Sequence, residues 1–259
     1  PSPYQSPSHL EIAPAAPRRG VETHFYQPID LLGLGLVFLV YFGLVAASLK
    51  SSGKPEATLD ISSLIVSIAF QFISAATVTG LVLTRVRPIR WLGLRWPGWQ
   101  WIFVIAPGTV VAMWLLFGGL QASGYMDWVE SFGIETVQDT VKLLQDSQDP
   151  LSIALMAFAA MIAAPVCEEI VFRGYLYSAG KRFAGPWVAG ICSALIFGAA
   201  HGSLAALLPL FVFGCVLAFL YEKTGSLWAP MGVHFCFNSA TVLIQLAARY
   251  YDLSLETGT

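Results

Sequence analysis

Cys167-Glu168-Glu169-Ile170-Val171-Phe172-Arg173-Gly174 lies inside an apolar region that begins near Leu151. A charge at the centre of a lipid-spanning helix costs roughly 2.5–3.5 kcal/mol on insertion scales. Two acids and an arginine so close together therefore mark a functional site with internal partners rather than decoration. Helical geometry sorts them. Residues four apart share a face, and adjacent residues point about 100° apart. Glu169 and Arg173 stack and pair, which lowers the cost of the site. Glu168 points a quarter turn away and is left as the free carboxylate. The competing reading is a buried ion-pair knot that only ties helices together; burial alone does not decide between them.

The surrounding chain sets the solvent. It has 259 residues, 56% hydrophobic and 12% charged, where a soluble domain carries about 25% charged residues. Apolar runs of spanning length recur along most of it. The expected fold is an all-α, polytopic transmembrane helical bundle of about seven to eight spans, with the site inside the bundle. The net charge of −2 gives no argument for nucleic acid. Cys167, Cys192, Cys215 and Cys236 fall in apolar segments without metal-type spacing and read as small buried hydrophobes.

Residues 1–30 are polar and proline-rich and read as a flexible N-terminal tail, with no signal-peptide cleavage site. Residues 31–248 form the membrane domain, and 249–259 a polar C-terminal tail. Spans are expected at 31–49, 59–84, 101–120, 151–177, 187–200, 204–221 and 227–246. Trp91, Trp96, Trp99 and Trp101 cluster around a basic loop, as at a lipid–water boundary. Residues 122–149 are acidic, and Val137, Val141 and Leu144 recur at helical spacing, which reads as a surface amphipathic helix, an acidic loop or a lid. Pro165 precedes the acids; it frees a carbonyl and bends the helix. With the N-terminus inside, the inner segments hold Arg18, Arg19, Arg85, Arg87, Arg90, Arg95, Lys181, Arg182 and Lys223, against Lys50, Lys54, Lys142 and Arg249 outside. That bias favours a cytoplasmic N-terminus.

Of four histidines, His9 and His24 lie in the tail, whereas His201 and His234 lie at or within spans. One buried histidine is usually a hydrogen-bonded core residue. Two of them with Asn238 and two glutamates make coincidence less attractive. His234 and Asn238 are four apart and face one cleft. Phe197, four before His201, packs on its face and reads as core.

Glu168-Glu-x-x-x-Arg173, Phe197-x-x-x-His201 and His234-x-x-x-Asn238 together resemble the three motifs of the CPBP family, the CAAX-protease and bacteriocin-processing (Abi) membrane endopeptidases. The resemblance covers roughly 151–246, and the loop Thr224-Gly-Ser-Leu-Trp-Ala-Pro looks similar too. It implies hydrolysis of a peptide bond in a membrane-anchored or lipidated protein or peptide. Glu168 would be the general base and His201 would hold the water. His234 and Asn238 would donate to the oxyanion, and Glu169 and Arg173 would orient these groups. Desolvation, which strengthens a carboxylate base, agrees with that role.

No cofactor is required by this reading. Zinc stays open as an alternative, held by Glu168, His201 and His234 as a His₂Glu site, although no His-Glu-x-x-His helix is present. A transporter, proton relay or bacteriocin-immunity protein without turnover is the non-enzymatic alternative; no clear internal repeat supports the transporter. Partners are a membrane-embedded or lipid-anchored substrate and membrane lipids. The implied location is a multi-pass protein of a bacterial cytoplasmic membrane. Composition and spacing leave the substrate and oligomeric state open.

Overall fold

The computed structural model describes residues 20–51, 61–132, 144 and 147–251. Every regular element among them is helical: α1 Asp30–Ser51, α2 Ile61–Leu83, α3 Pro88–Trp91, α4 Ile102–Ala122, α5 Tyr125–Glu130, α6 Pro150–Phe158, α7 Ala164–Glu168, α8 Ser178–Ala200, α9 Leu204–Thr224 and α10 Trp228–Tyr250. Two wider, π-helical segments, Ala159–Ala163 and Glu169–Tyr177, join α6, α7 and α8 into one continuous run.

Local chemistry sets several ends. The Asp149 carboxylate accepts from Leu151 N–H and Ser152 N–H, and Pro150 occupies the first turn of α6. The Ser203 hydroxyl caps α9 by accepting from Ala206 N–H. Gly225, in the left-handed region, closes the other end of α9. These are the residue types that such positions favour.

Five helices among the described residues are long and apolar enough to cross a membrane: Ile61–Leu83, Trp99–Ala122, Pro150–Ala200, Leu204–Thr224 and Trp228–Tyr250. The chain is an all-α, integral membrane protein. This count is lower than seven to eight for two reasons. Pro150–Ala200 is continuous apart from a break at Gly185 (φ 81°, ψ 169°) before Pro186, which divides it into two legs. The leg after the break ends at Ala200 and is short for a crossing. In addition, the side chains of much of α1 are not described.

The helices are not equivalent. The α9 window is 56% buried inside the protein, whereas those of α2 and α4 are each 17% buried. So α9 is the central post and α2 and α4 face lipid. Gly214 lets α8 press against α9: a Cβ there would lie 2.9 Å from Ala194 Cα and Cβ. That approach also brings the Gly214 carbonyl to the charged site.

Residues 20–29 differ from the expected flexible tail. Val21 and Tyr26 are buried, as is Asp30. Tyr26 packs on the bundle, and Lys181 Nζ donates to Val21 O at 3.0 Å. Residues 1–19 lie outside the described residues, as do 252–259 of the C-terminal tail and the Val137 and Val141 positions of the amphipathic expectation. Leu144 is described and buried, in a small cluster with Leu64, Met156 and Val242. The cysteines are free, and only Cys167 is buried; Cys192 is exposed. The reading of all four as buried residues is corrected: Cys215 and Cys236 are half-buried, and Cys192 is exposed in a recess that Leu34 and Gly35 of α1 also line.

Candidate active site

The site begins with the unusual winding around Glu168. In Ala159–Ala163, Ala164 N–H donates to Ala159 O, five residues back. The next donor in that register is Pro165, which has no N–H. The Ala160 carbonyl is thus left over inside the bundle, where an unpaired group is costly. Asn238 of α10 takes it, its Nδ2 donating at 2.8 Å. The segment after Glu168 is wound wide as well. There Gly174 O accepts from Tyr26 Oη at 2.6 Å and Trp91 Nε1 at 3.1 Å, and Ser178 Oγ donates to Arg173 O at 2.9 Å. Burial holds the Tyr26 hydroxyl well above its ordinary pKa, so it stays protonated and able to donate.

Glu169 and Arg173 are completely buried. Arg173 Nη1 donates to Glu169 Oε1 at 2.9 Å, and Nη2 donates to Gly214 O at 3.1 Å. The guanidinium also lies 4.5 Å from the Phe197 ring centroid. His234 Nδ1 reaches the same Glu169 oxygen at 2.8 Å. A carboxylate only accepts, so that nitrogen carries the proton. Charge-assisted bonds of this kind offset the desolvation of the buried ions.

Glu168 stands apart from this network while adjoining it. Its charged neighbours are His234, Glu169 and Arg173. Its Oε2 is enclosed and has no hydrogen-bond partner among the described residues. His201 ends α8, and its Nδ1 lies 2.8 Å from Phe197 O. A backbone carbonyl only accepts, so Nδ1 holds a proton, and in the neutral ring Nε2 keeps a lone pair. Phe197 links the groups: its ring meets His201 edge-on at 4.9 Å and His234 at 5.8 Å. Phe213 of α9 backs His234 at 5.5 Å.

The structure therefore gathers Glu169, Arg173 and His234 by direct bonds, with Glu168 beside them and His201 joined through Phe197. Asn238 lies one turn along α10 from His234, with its amide on Ala160 O. His234 and Asn238 each have one donor already engaged. No three His, Cys, Asp or Glu side chains among the described residues are gathered in a way that could hold a metal ion, so Glu168, His201 and His234 do not form a ready ligand set. Sequence spacing did not reveal Tyr26 and Trp91, and it undervalued Phe197. A proline just before two acids signals a freed carbonyl, and it is the one sequence feature pointing to the Asn238–Ala160 bond.

Comparison with known proteins meets this geometry at its centre. Residues 150–240 match the model of the type II CAAX prenyl endopeptidase Rce1-like family. Over these residues the chain is similar to that family. It is also 32% identical over 115 residues to the "Putative membrane peptidase YdiL" of Bacillus subtilis (strain 168), covering 44% of this chain and 46% of that protein. The chain thus spans about half the length of the curated relative it matches. No solved structure matches the chain. The matched residues include Glu168, Glu169, Arg173, His201, His234 and Asn238, and both wide-wound segments.

Proposed function

We propose that the chain is a membrane endopeptidase that hydrolyses a peptide bond with a water activated by Glu168. The enclosed, unpartnered Glu168 Oε2 beside the Glu169–Arg173–His234 network carries this reading. Glu169 also has a spare Oε2, but its Oε1 takes both Arg173 and His234; a purely structural ion-pair knot would engage both acids, yet Glu168 makes no hydrogen bond among the described residues. The Rce1-like match and the membrane-peptidase relative support the same class.

In this mechanism Glu168 takes a proton from water as the oxygen adds to the scissile carbonyl. The resulting tetrahedral intermediate carries the negative charge on the former carbonyl oxygen. Protonated Glu168 then gives its proton to the departing nitrogen as the C–N bond breaks. His201 Nε2, with its lone pair, accepts from the water and holds it. Glu169 Oε1, accepting from His234 Nδ1, fixes that ring, and when both ring nitrogens carry a proton Nε2 donates to the developing oxyanion. Asn238 supplies its second amide hydrogen, or acts by fixing the turn that aims Glu168. Positioned donors in a water-poor site are worth about 10²–10³ in rate each.

The substrate is proposed to be a membrane-embedded or lipid-anchored protein or peptide. The location is proposed to be a bacterial cytoplasmic membrane with the N-terminus inside. The test is cleavage of tethered reporter peptides by the detergent-purified protein, with bound zinc quantified alongside. Glu168→Gln should fold normally and lose at least about a hundredfold in turnover, the scale of general-base catalysis. Turnover by that variant at the wild-type rate overturns the mechanism. Activity restored by zinc after exhaustive chelation replaces it with the metal-dependent alternative.

A further inference from the structure

One end of the bundle gathers most of the described positive charge. The loop after α2 supplies Arg85, Arg87, Arg90 and Arg95; α8 supplies Lys181 and Arg182 before its break; the end of α9 supplies Lys223. Contacts place them on one surface. Leu227 N–H donates to Leu92 O at 2.9 Å, joining the 84–98 loop to the α9–α10 turn. Lys181 Nζ bonds both Glu222 oxygens at 2.7 Å, joining α8 to α9. Val21 and Glu22 of the N-terminal segment lie across both.

The carboxylates of this surface are already engaged. Asp30 is held by Arg85 at 2.6 Å, Glu22 by Arg90 at 3.1 Å and Glu222 by Lys181 at 2.7 Å. Seven cations thus face three acids, a surplus of four. The surplus consists of Arg87, Arg95, Arg182 and Lys223, all exposed and, among the described residues, without a carboxylate partner. Lys223 Nζ is 5.3 Å from the Phe219 ring centroid, so its stem follows apolar surface while the ammonium stays free.

Exposed tryptophans follow these basic residues in the chain: Trp99 (54%) and Trp101 (63%) after Arg95, Trp187 (82%) after Arg182 and Trp228 (52%) after Lys223. Such rings settle where hydrocarbon meets headgroups. The surplus cations are therefore held at phosphate depth. The opposite end contrasts with this: among the described residues Asp127, Glu130 and Asp149 outnumber Lys50 and Arg249.

We propose that this basic, tryptophan-rimmed end is a binding surface for the headgroups of anionic phospholipids, with Arg87, Arg95, Arg182 and Lys223 as the phosphate-binding residues. Charge complementarity selects the occupant. Juxtamembrane cations attract acidic lipid over a Debye length. An acidic protein would have to compete with the headgroup layer in which these side chains stand. The surface is separate from Glu168, so this inference does not depend on the hydrolytic reading.

The experiment is lipid competition on the intact chain. The purified protein is reconstituted in nanodiscs of phosphatidylcholine with 30% phosphatidylglycerol, then extracted mildly. Retained lipids are counted by native mass spectrometry and compared with their bulk share, which a surface without preference would reproduce. The wild type should enrich phosphatidylglycerol several-fold over its bulk share. R87Q/R95Q/R182Q/K223Q should return the ratio to the bulk value, while R249Q at the other end should leave the enrichment intact. Raising NaCl to 0.5 M should reduce the wild-type enrichment; this measurement decides the matter if the fourfold variant does not fold. Retention at the bulk ratio by the wild type, enrichment persisting in the folded fourfold variant, or enrichment insensitive to salt overturns the proposal.

Discussion

The wide-wound segments before and after Glu168 solve the same backbone problem in different ways. Ala159–Ala163 leaves one carbonyl behind, and one side chain from one other helix, Asn238, takes it. Glu169–Tyr177 is held from several directions: Tyr26 and Trp91 on Gly174 O, Ser178 on Arg173 O, and the buried Arg173 on Glu169 and Gly214. The acid therefore sits between a lightly fastened turn and a heavily fastened one. The heavy side fixes the position of the charges, and the light side leaves a single contact that can set the orientation of Glu168.

Replacing Arg173 tests the heavy side most severely. Arg173→Met leaves Glu169 with His234 as its one partner among the described residues and should cost roughly 3–5 kcal/mol, the penalty for removing one member of a buried pair, read from unfolding in detergent. Wild-type stability in that variant would show that Glu169 has other means of support. Asn238→Ala removes the single external donor of the light side. It should cost about 1–3 kcal/mol, since the Ala160 carbonyl is left unsatisfied. Asn238→Asp should be no better, because a carboxylate cannot donate.

Tyr26→Phe is the matched test on the heavy side. Trp91 Nε1 remains on the same carbonyl, so the loss should be only about 1 kcal/mol. If Tyr26→Phe costs as much as Asn238→Ala, the two sides are equally fastened and the contrast fails. The smallest effect concerns the entry to the light side. The hydrogen bonds from Ser152 and Leu151 hold the Asp149 carboxyl below its ordinary pKa. Its contribution is complete above the unfolded value near about 3.9 and is lost as pH falls through the lower folded value. The start of α6 should fray in acid, visible as faster amide exchange at Leu151 and Ser152, and Asp149→Asn should flatten that dependence.

Much of this was readable in advance because two rules are strong in lipid. Long apolar runs must be helices, and buried charges must find partners; hence the helices at 61–83, 102–122, 204–224 and 228–250, and the Glu169–Arg173 pair four residues apart. What could not be read depends on contacts without periodicity. Pro165 announces a missing N–H but not that Asn238, far along the chain, supplies the substitute donor. Tyr26 follows a proline-rich stretch and carries no pattern to distinguish it from a solvated tail; its burial becomes visible only with Gly174 O and the indole of Trp91. Phe197 looked like ordinary core because its spacing shows one neighbour, whereas its ring serves four elements.

That ring offers a built-in reporter. Its circulating electrons shift the magnetic resonances of both imidazoles, which stand edge-on to it at 4.9 and 5.8 Å. A fluorine on the Phe197 ring would conversely sense a change in charge at either histidine or at Arg173. One spectroscopic label could thus follow the electrical state of the whole cluster while nothing is being cleaved.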